Sequence, residues 1–239
     1  MAEPILYQID GPITRITLNR PDCLMSNDMA IELANRLAEF DSSHLVVLRS
    51  NGADFVAGRD VPPFSHKPTA MDVRRVSTEP PLRVVGAVKA CRAPVLALVR
   101  GRCVGLGAAL AAAADITFAD ETASFILPEM RHGIPPCLAM SGLLHRVPTK
   151  QIAYLTYSCE PIDAHEAHRL GLITKVFKTH KALDEAADKF IATVSAHKQT
   201  AMVGVKDFLR SAPSLDATAL VGFASNLLAN IVSSHSDGH

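Results

Sequence analysis

Two short runs near the start of the chain, ILYQI and PITRITL, alternate apolar and polar residues on either side of Asp10-Gly11. A period of two reads as a pair of strands, and Asp-Gly suits the tight turn between them. From SNDMAIELANRLAEF the period lengthens: Met29, Leu33, Leu37 and Phe40 share one face of a predicted helix that Ser26 or Asn27 can cap. LVVLRS is then a short buried strand, and a helix is expected over roughly residues 72–91. VLALV (95–99), ITFA (116–119) and ASFIL (123–127) follow as further strands. After Pro128 the pattern turns helical, with stripes Leu183, Ala187, Phe190, Ile191, Val194 and Leu220, Phe223, Leu227, Ile231. Strands alternating with helices, then helices alone, predict an α/β core with a helical C-terminal part. The closing SSHSDGH reads as a frayed tail.

Composition narrows the classes of function. The 239 residues fit one large domain or a domain with an appendage, and the 48% apolar content supports a sizeable core. Lys plus Arg and Asp plus Glu balance at 24 each, so no global field recruits nucleic acid or an anionic membrane. Any phosphate on a ligand must then be met by a few local cations. The five cysteines lack CxxC or Cys/His metal spacing and read as reduced, buried small residues. MAEPILYQID has neither the basic region nor the apolar core of a secretory signal. With no uninterrupted apolar stretch of about 20 residues, the expectation is a soluble cytoplasmic protein without a membrane span.

Chemistry concentrates in three places. Residues 101–115, GRCVGLGAALAAAAD, set Gly101, Gly105 and Gly107 before a helix of small residues. Backbone N–H groups exposed by glycine at a helix start can hold an oxygen that becomes anionic, and close helix–strand packing uses the same residues. There is no GxGxxG, no GK[ST] and no GxSxG. FVAGRD (55–60) follows a buried strand and is a second place where amides are exposed, though an ordinary turn reads the same way. In SFILPEMRHGIPP (124–136), Glu129 is either a helix-start residue serving the dipole or a base in an apolar cleft. His132 stands alone, and Ser141 with His145 lacks a supporting loop.

Taken together, FVAGRD, APVLALVRGRCVGLGAALAAAADITFAD, ASFILPEMRHGIPP and PIDAHEAHRLGLITKV resemble the enoyl-CoA hydratase/isomerase (crotonase) family, in order over about residues 5–210. The resemblance implies a spiral of ββα units and a helical region used for trimerisation, often with trimers paired into hexamers. It divides the chain into a spiral core over 1–195 and a helical region over 196–239. The implied oxyanion hole uses two main-chain amides, those of Arg59 and Leu106, with Ala57, Gly58, Asp60, Gly105 and Ala109 as substrate-binding neighbours. The implied substrate is an acyl-CoA thioester, in which coenzyme A is part of the substrate and no separate cofactor or metal is needed.

Hydratases of the family carry two catalytic glutamates. The second corresponds to Glu129, and the place of the first is Ala109, whose methyl group is expected to leave room for apolar substrate. LNRPDCLMSND also lacks the usual Asn after its proline, and IPPCLAMS stands where hydratases often have a glycine-rich turn. Adding water across C2 and C3 is commonly divided between two carboxylates. Shifting a double bond from C3 to C2 conserves the proton count, so one glutamate suffices. The expected reaction is isomerisation of a 3-enoyl-CoA. A hydratase, another crotonase-type reaction such as decarboxylation or thioester hydrolysis, and a catalytically weak acyl-CoA-binding protein are the alternatives.

Overall fold

The structure, a computed structural model, describes residues 3–39 and 43–234. It opens with an antiparallel hairpin of β1 (Ile5–Asp10) and β2 (Ile13–Leu18), turned at Gly11 with φ +56°. Next come β3 (Leu24–Ser26), α1 (Asn27–Leu37), β4 (Leu45–Ser50) and β5 (Gly58–Asp60). They are followed by α2 (Ala70–Val73), α3 (Glu79–Ala90), β6 (Val95–Val99), β7 (Arg102–Val104) and α4 (Leu106–Ala113). β8 (Ile116–Asp120), β9 (Ser124–Ile126), α5 (Cys137–Leu143), α6 (Thr149–Ser158) and β10 (Ile162–Asp163) lead into the C-terminal part. That part holds α7 (Ala164–Arg169), β11 (Lys175–Phe177), α8 (His180–Ser195), α9 (Gln199–Ser211) and α10 (Ala217–Ser234).

The long strands form a six-stranded sheet in the order β1-β2-β4-β6-β8-β11, parallel except at the β1 edge. Each of β2, β4, β6 and β8 is followed by a short strand that leaves this sheet. β3 pairs with β5 and β7 with β9, both parallel, and the bridge Val56–Cys103 joins the two pairs. Sheet strand, lateral strand and helix thus repeat as a spiral of ββα units. Both faces of the main sheet are covered, which is why VLALV is apolar throughout. Val95, Ala97 and Val99 pack in the larger core with α1, α3 and α4, while Leu96 and Leu98 meet Leu183, Ala187, Ile191 and Val194 of α8.

Several local expectations change in detail. Ser26 is the cap of α1, its Oγ accepting from the Met29 amide at 3.2 Å, while Phe40 lies outside the described residues. The helix expected over 72–91 is broken: a π turn, Arg74–Thr78, separates α2 from α3. Pro80 and Pro81 have no N–H to offer the carbonyls of Val76 and Ser77, four residues earlier, so a regular α-helix cannot run through. The region after Pro128 also contains β10 and β11, and β11 joins the main sheet beside β8. Runs of two and three residues are too short to display a period of two. Four cysteines are buried and free, whereas Cys137 is exposed, contrary to the expectation for all five.

Lys206 ties α9 to the core. It is 5% exposed, and its Nζ donates to Asp115 Oδ2 at 2.7 Å and to the carbonyls of Val88 and Ala93 at 3.2 and 3.1 Å. All three ammonium hydrogens therefore have acceptors. α10 has a partly buried stripe, Leu220, Phe223, Leu227 and Ile231; Ile231 lies against Gly204 of α9, and the Phe208 and Phe223 rings stack at 6.0 Å. Its other face leaves Val221, Leu228 and Val232 exposed. By length and composition alone this 18-residue helix could cross a membrane, a property the expectation of no spanning segment overlooked. Asn226 and Asn230 interrupt it, and at 1.5 Å per residue it rises about 27 Å.

Candidate active site

Strand register brings the three motifs together. β7 and β9 run parallel with Val104 opposite Ile126, and the Gly105 amide donates to the Ile126 carbonyl at 2.9 Å. Three residues beyond Ile126 the chain reaches Glu129, so its carboxylate arrives beside Gly105. The first loop arrives by the Val56–Cys103 bridge, with the Val104 amide donating to the Val56 carbonyl at 2.9 Å. Val56 in turn packs on the start of α4: a Cβ on Gly107 would lie 3.0 Å from the Val56 Cβ and 3.3 Å from its carbonyl carbon.

Glu129 begins a short 3-10 turn, Glu129–His132, closed by Gly133 at φ +69° and by the Ile134 amide donating to the Glu129 carbonyl. Arg131 anchors this turn by donating from Nη2 to the Cys159 carbonyl at 2.5 Å. Oε1 of Glu129 lies against Gly105, whose φ of +52° and ψ of −101° suit glycine. Oε2 is buried and has no hydrogen-bond partner among the described residues. Burial raises the Glu129 pKa above the ordinary carboxylate value, offset in part by a backbone hydrogen bond. Gly105 caps α4, and the first-turn amides beginning with Leu106 have no intrahelical acceptor. The positive end of the helix dipole is therefore directed toward the carboxylate's surroundings.

The remaining predicted residues divide. Ala57 is half-buried, with its amide donating to the Cys23 carbonyl at 2.8 Å, and Gly58 has φ +147°. Asp60 is exposed and pairs with Arg20 at 2.9 Å. Ala109 is wholly buried, and α5 crosses it so closely that a Cβ on Gly142 would lie 2.6 Å from the Ala109 Cα. It is therefore a core residue and does not border open space as expected. The Arg59 guanidinium donates from Nη1 to the Ser77 carbonyl at 2.6 Å and from Nη2 to Asn27 Oδ1 at 3.0 Å. Ser141 is occupied locally, its hydroxyl donating to the Leu138 carbonyl at 2.7 Å.

Asn27 entered the sequence reading only as a possible helix cap, and Gly142 escaped it. A signal existed for each: a glycine inside a predicted helix marks close backbone approach, and Pro80-Pro81 announces orphaned carbonyls that need outside donors.

A glycine loop opening a buried helix, a second loop bridged to it and one buried carboxylate beside them characterise a protein class, and comparison with known proteins identifies it. The family model for enoyl-CoA hydratase/isomerase matches residues 8–237. The chain belongs to this family. It is 32% identical over 201 residues to the 2,3-dehydroadipyl-CoA hydratase of Escherichia coli, covering 82% of this chain and 77% of that one. It is 27% identical over 226 residues to the peroxisomal Delta(3,5)-Delta(2,4)-dienoyl-CoA isomerase of Arabidopsis thaliana, covering 87% and 80%. The crystal structure of an enoyl-CoA hydratase/isomerase from Marinobacter aquaeolei superposes with a TM-score of 0.90 at 25% identity, covering 97% of this chain and 92% of that one. The chain thus has the crotonase fold and is an acyl-CoA enzyme of this family.

Proposed function

We propose that the enzyme moves the double bond of a 3-enoyl-CoA thioester to C2, with Glu129 as the sole proton carrier. The observation that carries this reading is the Glu129 carboxylate: one oxygen against Gly105, the other buried and free of hydrogen bonds. The thioester oxygen is received by the amides of Arg59 and Leu106, and Oε2 takes a proton from C2. The electron pair moves onto that oxygen, giving a dienolate. The same carboxyl group then returns the proton at C4, which leaves the double bond between C2 and C3. A base of raised pKa suits the weakly acidic C2–H, and fixed amides stabilise the oxyanion without reorganisation. Ala109 supplies no second carboxylate, and its burial leaves no place there for an ordered water.

Hydration is the second reading, favoured by the hydratase names among the relatives, including one 32% identical. We further propose that the protein works in the cytoplasm without a separate cofactor. In the same reading it assembles as a homotrimer or hexamer through the apolar side chains that α9 and α10 leave exposed, among them Val205, Leu209, Val221 and Leu228.

Ultraviolet absorbance distinguishes the two reactions, because isomerisation creates the conjugated thioester and hydration consumes it. Glu129→Gln should reduce isomerisation by about 10²–10⁴-fold, the usual cost of losing a general base. Near-wild-type isomerisation by that variant, or efficient wild-type hydration of 2-enoyl-CoA, would overturn the reading.

A further inference from the structure

The proposed reaction uses the main chain of Arg59 and gives its side chain no task. That side chain runs between the start of α1 and the π turn, where Pro80 and Pro81 orphan two carbonyls. Asn27 Nδ2 donates to the Val76 carbonyl at 2.8 Å, and Arg59 Nη1 donates to the Ser77 carbonyl at 2.6 Å. Asn27 does this work without a charge, so satisfying a carbonyl does not explain a guanidinium. Nη2 meets a second neutral acceptor, Asn27 Oδ1, and the rest of the five-donor fork is uncommitted among the described residues. Arg20, Arg74 and Arg102 each have a carboxylate partner, whereas Arg59 has none among the described residues. Burial alone lowers its pKa from the ordinary guanidinium value, yet arginine keeps its proton in proteins. A half-buried cation whose charge is unanswered by its own chain fits a site completed by an anionic ligand.

We propose that Arg59 is a specificity-determining residue that receives a carboxylate at the far end of a short acyl chain, making the substrate the mono-CoA thioester of a dicarboxylic acid. This rests on the reading above for one point only, that the thioester oxygen meets the Arg59 amide. Amide and guanidinium then belong to one residue, so the carboxylate lies within one side-chain length of the thioester. A planar fork suits a carboxylate better than a lysine would. A phosphate of coenzyme A presents the same anionic oxygens, and the test separates the two sources.

Binding is measured by calorimetry with unreactive saturated thioesters matched in length: glutaryl-CoA against pentanoyl-CoA, adipyl-CoA against hexanoyl-CoA, and free CoA. The wild type should prefer the acidic member of at least one pair by about 30-fold, the scale of a desolvated charge pair losing one partner. Arg59→Met should bring that ratio close to one, and Arg59→Lys should keep part of it. The ratio cancels any loss common to both thioesters. A wild type without preference overturns the proposal before any variant is made. So does a preference that survives in Arg59→Met, or an equal loss for both thioesters and free CoA, which would assign the guanidinium to a phosphate. If Arg59→Met does not fold, Arg59→Lys with an unchanged ratio of kcat/KM values for acidic and neutral 3-enoyl-CoA substrates overturns it instead. Selective binding without isomerisation would overturn the isomerase reading and leave Arg59 in its role.

Discussion

Replacing Gly105 by alanine tests whether the seat of the carboxylate, rather than its mere presence, sets the rate. The glycine has φ +52° and ψ −101°, so an L-residue there carries backbone strain of about 1–3 kcal/mol. The new methyl carbon would also sit inside 3.0 Å of Glu129 Oε1, where ordinary contact begins at 3.4 Å. Glu129 can relieve this only by retreating, and its Oε2 must move with it. A displacement approaching 1 Å costs about 10²-fold in rate when reacting groups are otherwise held in line. The strain should lower the melting temperature by a few degrees, since 1 kcal/mol shifts a chain of this size by about 2–4 °C. Gly86 is the control: it is exposed on α3, has no positive φ, and its Cβ would meet nothing within 4 Å. Gly86→Ala should leave the rate unchanged and stabilise the helix by about 0.5–1 kcal/mol. Turnover of a 3-enoyl-CoA, followed as conjugated thioester, is compared with melting monitored by circular dichroism. A folded Gly105→Ala protein within threefold of the wild-type kcat would refute the positional argument.

Two further expectations concern stability. Because the folded-state pKa of Glu129 is raised, the unfolded chain binds fewer protons than the native one between the ordinary value of 4.5 and the raised value. Native stability therefore falls as pH rises through that window, and Glu129→Gln should melt higher than wild type at neutral pH, with the gain shrinking toward pH 4. A melting difference independent of pH would contradict the burial of that carboxylate. Lys206→Ala leaves Asp115 and two carbonyls without their ammonium, at a cost near the lower end of the 3–5 kcal/mol for a broken buried pair, because Asp115 retains some access to water. Urea titration should show a loss of about 3 kcal/mol, and a loss below 1 kcal/mol would show that α9 is held by other contacts.

Long, strongly patterned segments were legible: the β1–β2 hairpin, α1 and VLALV lie where apolar period and turn chemistry place them. The lateral strands were harder to read, since β3, β5, β7 and β9 have three residues each and are defined by partners far along the chain. The proximity of Glu129 to Gly105 was available only through the resemblance, because it depends on the Val104–Ile126 register. Contacts such as Arg59 with Ser77 and Lys206 with Asp115 link residues well separated in sequence, and no local pattern announces them. Pro80-Pro81 came closest, since it predicts which carbonyls need donors without naming the donors.

Position 109 is where sequence and structure differ most instructively. Read as a lost glutamate, an alanine marks an emptied catalytic place open to refilling by substitution. In the fold all eight residues of α4 are buried, and Gly142 of α5 lies against the Ala109 backbone because no Cβ fits there. That close approach fixes glycine at 142; Ala109 is itself wholly buried, so a longer side chain there carries overpacking costs of typically about 1–3 kcal/mol. A chain that keeps its small residues at 109 and 142 together has closed the space around the helix as well as dropping a carboxylate. In the proposed reaction the proton is carried by Glu129, whose buried Oε2 has no hydrogen-bond partner among the described residues.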